Sequence, residues 1–314
     1  MKKNIFMYVI FILVMTLFTS KVSALEYINE KYVNANGIEI TEKQKENLEN
    51  LGFTEFEIET MDQEEFDNNK NLDAVLVAQT DKYYKTIVIY PSEISTYSLN
   101  KNFISTTTEI SKEEYENSDE NLISPLANTN GYTETNYKKM TTTIAKVNNS
   151  YFRYKNTLAW KKLPATRSYD IIGIGIDSTV SGVSSSKYYR TTAEIDDSAQ
   201  QLCTFETYSS VQAWELSGSG YAATFKVPSD TTTRKVTSLT TEMYFNVQKL
   251  TNTTIKTLNA YGDYKHSQLT VDASVGAGVS IGTGGISFDA SVSASIVEKF
   301  DSMSTAQATW TGTW

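Results

Sequence analysis

Residues 141–176 read TTTIAKVNNSYFRYKNTLAWKKLPATRSYDIIGIGI, and this stretch decides the fold class. Threonine, tyrosine, valine and isoleucine dominate it, and β-branched and aromatic side chains suit a pleated, half-buried surface. Asn148-Asn149 marks a turn between candidate strands Thr141–Val147 and Tyr151–Trp160, and Tyr169–Ile176 follows as a third. The same composition continues outward. Further strands are expected at Tyr188–Ile195, Leu202–Leu216, Tyr221–Val227 and Glu242–Leu250, with two long ones between Leu269 and Ile296. Turn signals fall at Gly218-Ser219-Gly220 and Gly282–Gly285. Short strands at this spacing predict an antiparallel β-sandwich or jelly-roll-like domain over residues 139–314. No helical period is strong enough to supply crossover helices, which argues against an α/β fold.

Upstream the pattern changes. Residues 25–107 predict a small α+β module of short helices and a β-hairpin. Thr41 is placed to cap a helix that Gly52 stops, and Thr54 to cap a second turn. Ala74–Ala78 and Lys85–Tyr90 predict the hairpin, with Asp81-Lys82 at its turn. Residues 108–138 lose periodicity and read as a linker. Charge divides the chain in the same place: residues 25–138 carry 23 acids and 9 bases, residues 139–314 carry 14 acids and 16 bases. Neither half has the concentrated positive charge that nucleic-acid binding requires.

Residues 1–24 have the form of a secretory signal peptide. Lys2 and Lys3 precede the apolar run Ile5–Phe18, and Val22-Ser23-Ala24 offers a cleavage site. The run is shorter than the roughly 20 residues a membrane helix needs. The expected location is extracellular. Leu163-Pro164-Ala165-Thr166 looks like a wall-sorting signal, but it is internal and lacks a hydrophobic tail. A single cysteine, Cys203, excludes an internal disulfide and fits a bacterial exported protein better than a eukaryotic one of this size.

Three segments carry a resemblance. Ile40-Thr41-Glu42-Lys43-Gln44, Leu51-Gly52-Phe53-Thr54 and the run from Trp160 to Asp170 with its following Ile-Gly-Ile-Gly strand are similar to a group of secreted proteins from Firmicutes. The resemblance implies export and a Gram-positive source. It supplies no activity and no site residues.

The inventory for catalysis is thin. His266 is the only histidine, so multi-histidine zinc sites are excluded. A Ser-His-Asp triad would have to use it, with Asp263 nearby. No nucleophile elbow is present, and glycine-rich 276–285 has neither a dinucleotide nor a phosphate-loop pattern. No cofactor or metal is expected. Trp160, Arg167 and Asp170 form a more interesting cluster. They read either as a strand corner with Arg167 paired to Asp170, or as a ligand loop with Trp160 as a stacking platform.

The sharpest pattern is at the C-terminal end. Leu269, Val271, Ala273, Val275, Ala277, Val279 and Ile281 alternate with small polar residues; so do Ile286, Phe288, Ala290, Val292, Ala294 and Ile296. Each arm has one apolar face, which specifies register strongly. Two readings fit: a long hairpin packed against the sandwich, or a membrane-inserting hairpin that would work only in an oligomer. The chain as a whole reads as a secreted, non-enzymatic binding or surface-interaction protein, with a membrane-active toxin or bacteriocin-like protein as the alternative. A hydrolase comes third. The partner is left open between a cell surface, a membrane and a second copy.

Overall fold

A computed structural model describes residues 31–91, 104–118, 131–268, 277–282, 285–290, 300–301 and 303–314. The signal segment therefore lies outside the described residues. The chain is mainly β, an antiparallel β-sandwich with a few short helices at its N-terminal side.

The N-terminal unit opens with β1 (Lys31–Val33) paired to β2 (Glu39–Thr41). Three helices follow: α1 (Glu42–Asn50), α2 (Glu55–Glu59) and α3 (Gln63–Asn69). Thr41 caps α1 and Thr54 caps α2, each in a reciprocal capping box with Gln44 and Glu57. These boxes satisfy amide groups that so short a helix would otherwise leave open. Gly52, at φ +88°, takes the left-handed conformation that ends α1. Tyr32, Ile40, Leu48, Leu51, Ile58, Met61 and Phe66 give the unit its own small core, which also takes in Tyr244 of the large sheet and Val147 just after β5.

The large sheet has the order β10-β9-β13-β6-β5-β3-β4, with β8 paired to β13. Its strands are β3 (Val75–Pro91), β4 (Ile104–Ile110), β5 (Gly131–Lys146), β6 (Phe152–Lys162), β8 (Val180–Gly182), β9 (Tyr188–Asp197), β10 (Leu202–Tyr208) and β13 (Arg234–Lys249). The small sheet has the order β11-β12-β7-β14-β17, formed by β7 (Tyr169–Ile176), β11 (Ala213–Ser217), β12 (Gly220–Lys226), β14 (Thr257–Lys265) and β17 (Ala306–Thr311). Phe152, Leu158, Ile172, Ile174, Phe225, Leu239, Phe245 and Leu258 are among the side chains that fill the space between the sheets. The sheets approach closely at Gly262. A Cβ there would collide with the side chains of Thr142 and Asn156, and the Asn156 amide donates across the gap to the carbonyls of Gly173 and Asp263 at 3.2 and 3.0 Å.

Several expectations change. The upstream hairpin exists, but Asp81-Lys82 is not its turn: β3 runs unbroken through both, and they pair with Thr141 and Met140. Asp-Lys lacks the glycine or asparagine that a tight turn favours, and β5 offers a continuous ladder instead. The hairpin partner is β4. The span read as a linker carries, among its described residues, the end of β4, helix α4 (Lys112–Glu116) and the first half of β5. Strand pairing thus crosses the boundary drawn at 108–138. Leu202–Leu216 is not one strand; β10 and β11 belong to different sheets, and residues 209–212 carry the chain between them. β14 and β17 were not anticipated.

Candidate functional site

The structure separates the residues of the Trp160 cluster. Arg167 pairs with Asp230 at 2.6 Å rather than with Asp170. Asp170 is wholly buried. Its carboxylate accepts from Tyr264 Oη at 2.5 Å and the Ser267 amide at 3.1 Å, and it lies 3.0 Å from His266 Nδ1. Trp160 is 4% exposed and packs edge-on to the His266 ring at 5.0 Å. It is a wall of this cluster, not an open stacking platform. The Lys138 ammonium lies 4.7 Å over the Trp160 ring and is ion-paired with Asp301. Asp301 Oδ1 accepts the His266 amide at 2.8 Å, and the Asp301 amide donates back to the His266 carbonyl. Ser267 and Phe300 form a bridge beside them. The cluster therefore ties the chain before residue 269 to the chain after 299.

An Asp-His pair supplies two members of a catalytic triad, and here both are shut away from solvent. His266 Nε2 meets no hydrogen-bond partner among the described residues, and His266 and Asp170 are fully buried. A general base must come within hydrogen-bond reach of the proton it takes, and this imidazole has no exposed surface among the described residues. The nearby carboxylate, Asp263, is not the partner. It bonds the Tyr264 amide at 2.7 Å, and burial pushes its carboxyl up to about 7, with Asp301 adding to the rise.

A stability prediction follows from the sign of that shift. A carboxyl whose folded value lies above its unfolded value binds protons more tightly when folded. Its cost is absent below the unfolded value of 3.8, grows as pH rises, and is complete above about 7. Asp263→Asn is expected to raise the unfolding free energy at pH 8 by up to about 4 kcal/mol, as the ceiling set by a three-unit shift, and to change little at pH 3.5. Urea melts at the two pH values measure it; equal effects at both would contradict the assignment.

A second buried charged cluster joins the N-terminal unit to the sheet. Lys155 on β6 lies 2.5 Å from Glu57 and 3.1 Å from Glu242. Arg190 on β9 lies 2.5 Å from Glu242 and 3.0 Å from Glu65, and donates to the carbonyls of Thr60 and Glu57. All five charged side chains are at most 3% exposed. Burial alone would raise Glu57, but Lys155 and three hydrogen bonds outweigh it and hold the carboxyl at about 2. Burial pushes Glu65 well above the ordinary carboxylate range, and the Glu242 charge adds to this. The Thr54-x-x-Glu57 spacing of a capping box was visible in the sequence. The second role of Glu57, as an ion-pair partner for a residue 98 positions away, was not.

Cys203 is exposed on β10, with Sγ 3.2 Å from Glu194. Partial burial and the Glu194 carboxylate push its thiol up to about 11, so little thiolate exists at neutral pH. Among the described residues no group of three or more His, Cys, Asp or Glu side chains is placed to hold a metal ion, and no helix is long and apolar enough to cross a membrane.

Part of the C-terminal hairpin is described. β15 (Ala277–Gly282) pairs with β16 (Gly285–Ala290), setting Ala277 opposite Ala290, Val279 opposite Phe288 and Ile281 opposite Ile286. Directly opposed residues share a face, so the register places the apolar positions along one face of the hairpin. Positions Leu269, Val271, Ala273, Val275, Val292, Ala294 and Ile296 lie outside the described residues. β15 runs beside β7, β11 and β12 without pairing to them. Ile171, Ala222 and Thr224 on those strands sit on the face away from the main core and are nonetheless buried.

An open groove of about 470 Å³ lies beside β10 and the start of β13, lined by Asp197, Leu202, Thr204, Glu206 and Arg234 among others. No protein-family model and no curated protein matches the chain. Among solved structures it is similar to a chain named BspA_C_WT, with 9% identity and a TM-score of 0.24 over 61% of this chain and 89% of that one. It is also similar to the C-terminal domain of the Streptococcus agalactiae AgI/II polypeptide BspA, at 9% identity and a TM-score of 0.21 over 59% and 80% of the two chains. A third match is the full-length major pilin SpaD from Corynebacterium diphtheriae, at 7% identity and a TM-score of 0.21 over 59% and 55%. TM-scores this far below 0.5 carry nothing further about this chain.

Proposed function

We propose that the protein is an extracellular, non-enzymatic surface-interaction protein of a Gram-positive bacterium. The observation that carries this reading is where the reactive side chains go. The only histidine is buried with Asp170, and the lone cysteine stands beside a carboxylate that keeps it protonated. The sandwich edge, in contrast, leaves apolar side chains open: Leu202 is 53% exposed and Leu216 is 41%. The signal-like residues 1–24 support export. The test is direct binding. Fluorescently labelled mature protein, residues 25–314, is expected to be retained on intact Gram-positive cells in a saturable way that excess unlabelled protein competes away. Retention that never saturates would count against the reading.

One observation favours a second reading. The register of β15 and β16 sets apolar positions opposite one another, and among the described residues no strand of the two main sheets pairs with them. A hairpin so placed can leave its host without breaking a ladder. If it enters membranes, the mature protein releases dye from anionic liposomes and Val279→Asp abolishes release while the protein stays folded. On the surface-interaction reading the parent protein releases none.

A further inference from the structure

Lys138 stands where a lysine is seldom found. It opposes Tyr84 on β3 and Trp160 on β6, both core residues, so its side chain enters the space between the sheets. Neither the Lys138 side chain nor that of Asp301 has any exposed surface. Lys138 Nζ is in direct contact with Asp301 Oδ2, and among the described residues no other carboxylate lies within 4 Å of it. Asp301 Oδ1 accepts the His266 amide at 2.8 Å. The Trp160 ring, itself buried, covers the amine at 4.7 Å. The other buried lysine is placed differently. Lys155 is shared among Glu57, Glu242 and the Thr157 hydroxyl, and Arg190 also holds Glu242. There each charge has several partners; at Lys138 one amine faces one carboxyl group.

An amine and a carboxyl group in contact are the two reactants of an amide. In water they do not condense, because both are ionised and both are well solvated. Burial works against that preference, since it penalises each charge. A proton passing along the hydrogen bond from Nζ to Oδ2 leaves a neutral amine against a neutral acid. Fixed contact replaces the chance encounter of two free molecules, which is a large advantage in effective concentration. The His266 amide points at Oδ1, where negative charge gathers as Nζ adds to Cγ, so it acts as an oxyanion donor.

We propose that Lys138 and Asp301 join in a self-formed amide cross-link between Nζ and Cγ. The Nζ–Cγ bond forms and the Cγ–Oδ2 bond breaks. Oδ2 leaves as water, with the proton it took from Nζ and a second proton from the same nitrogen. The amide nitrogen keeps one hydrogen, and no oxidant, reductant or co-reactant is consumed. The ion pair is the unreacted state, and the product replaces two buried charges with a neutral amide. The link ties β5 of the large sheet to the approach to β17 of the small one, across 163 positions of sequence. A single cysteine leaves the chain without an internal disulfide. A covalent clasp on so long a loop constrains the unfolded chain as a disulfide would. The link needs no binding partner, so it goes beyond the surface-interaction reading without resting on it.

Mass spectrometry of the mature protein, residues 25–314, tests it. Under denaturing conditions the intact mass is expected to fall short of the sequence mass by one water. A tryptic digest is expected to contain residues 113–139 joined to residues 300–314, because trypsin does not cut after an acylated lysine and neither stretch has another internal site before its end except Lys138. Lys138→Met and Asp301→Ala are each expected to carry their full sequence mass and to melt at a lower temperature than the wild type. A wild type of full mass, whose digest yields the two stretches separately, overturns the link whether or not either variant folds. A mass short by one water without the joined peptides puts the dehydration elsewhere and overturns it as well.

Discussion

Lys155→Met is expected to destabilise the protein by about 3–5 kcal/mol, the cost typical of breaking a buried ion pair by removing one partner. Among the described residues the ammonium is the only cation within 4 Å of the Glu57 carboxylate, and it also holds one oxygen of Glu242. Methionine fills a similar volume, so the loss comes from a stranded Glu57 carboxylate and a Glu242 left with Arg190 alone, not from a cavity. Urea denaturation at pH 7 measures it. Adding Glu57→Gln should recover at least half of the loss, because the stranded charge is then gone. A cost under about 1 kcal/mol would show that water or rearrangement satisfies the carboxylates. The pH dependence has a definite sign. Glu57 is held below its ordinary value, so its contribution is present above about 4.5 and is lost as pH falls toward about 2. The wild type should lose stability over that window, and a variant lacking Glu57 should lose less.

The second large effect is expected at Lys138. It sits on β5 with no exposed surface and its ammonium is paired with Asp301, which in turn accepts the His266 amide. Lys138→Met leaves that carboxylate buried with one hydrogen bond in place of an ion pair. A loss of about 3–5 kcal/mol is expected for the same physical reason. The consequence is local as well as global. Asp301 anchors the approach to β17, where Trp310 and Trp314 pack on Phe152 at 4.9 and 4.8 Å. Hydrogen exchange along β17 should therefore quicken more than along β12. Measured against wild type that has not cross-linked, the double variant Lys138→Met/Asp301→Asn should regain most of the lost stability. Exchange that rises equally in both strands would mean that the pair supports the whole sandwich and not the C-terminal anchor.

Both clusters show what local reading of the chain reaches and where it stops. Thr41, Gly52 and Thr54 perform the helix-terminating roles that their chemistry suggests, because a cap is satisfied within four residues. The composition of 141–176 led to a β-sandwich, and the alternation at 269–296 led to a hairpin, of which β15 and β16 are the described part. Each of these depends on neighbours close in sequence. Asp81-Lys82 was misread as a turn for the opposite reason. Its place inside β3 depends on β5, about sixty residues further on.

The sequence by itself determined the mainly β class, the helix caps, the lack of catalytic histidine clusters and the alternation of the C-terminal arms, all consequences of residue type and short spacing. Only the tertiary structure decided that His266 pairs with Asp170, 96 residues away, instead of nearby Asp263, and that Arg167 turns to Asp230. It also decided that residues 202–216 divide between two sheets, with Leu202 and Leu216 left exposed. A period of two says which residues share a face of a strand. Which strand lies opposite that face depends on sheet order, and sheet order is fixed only when distant segments compete to bury the same apolar surface.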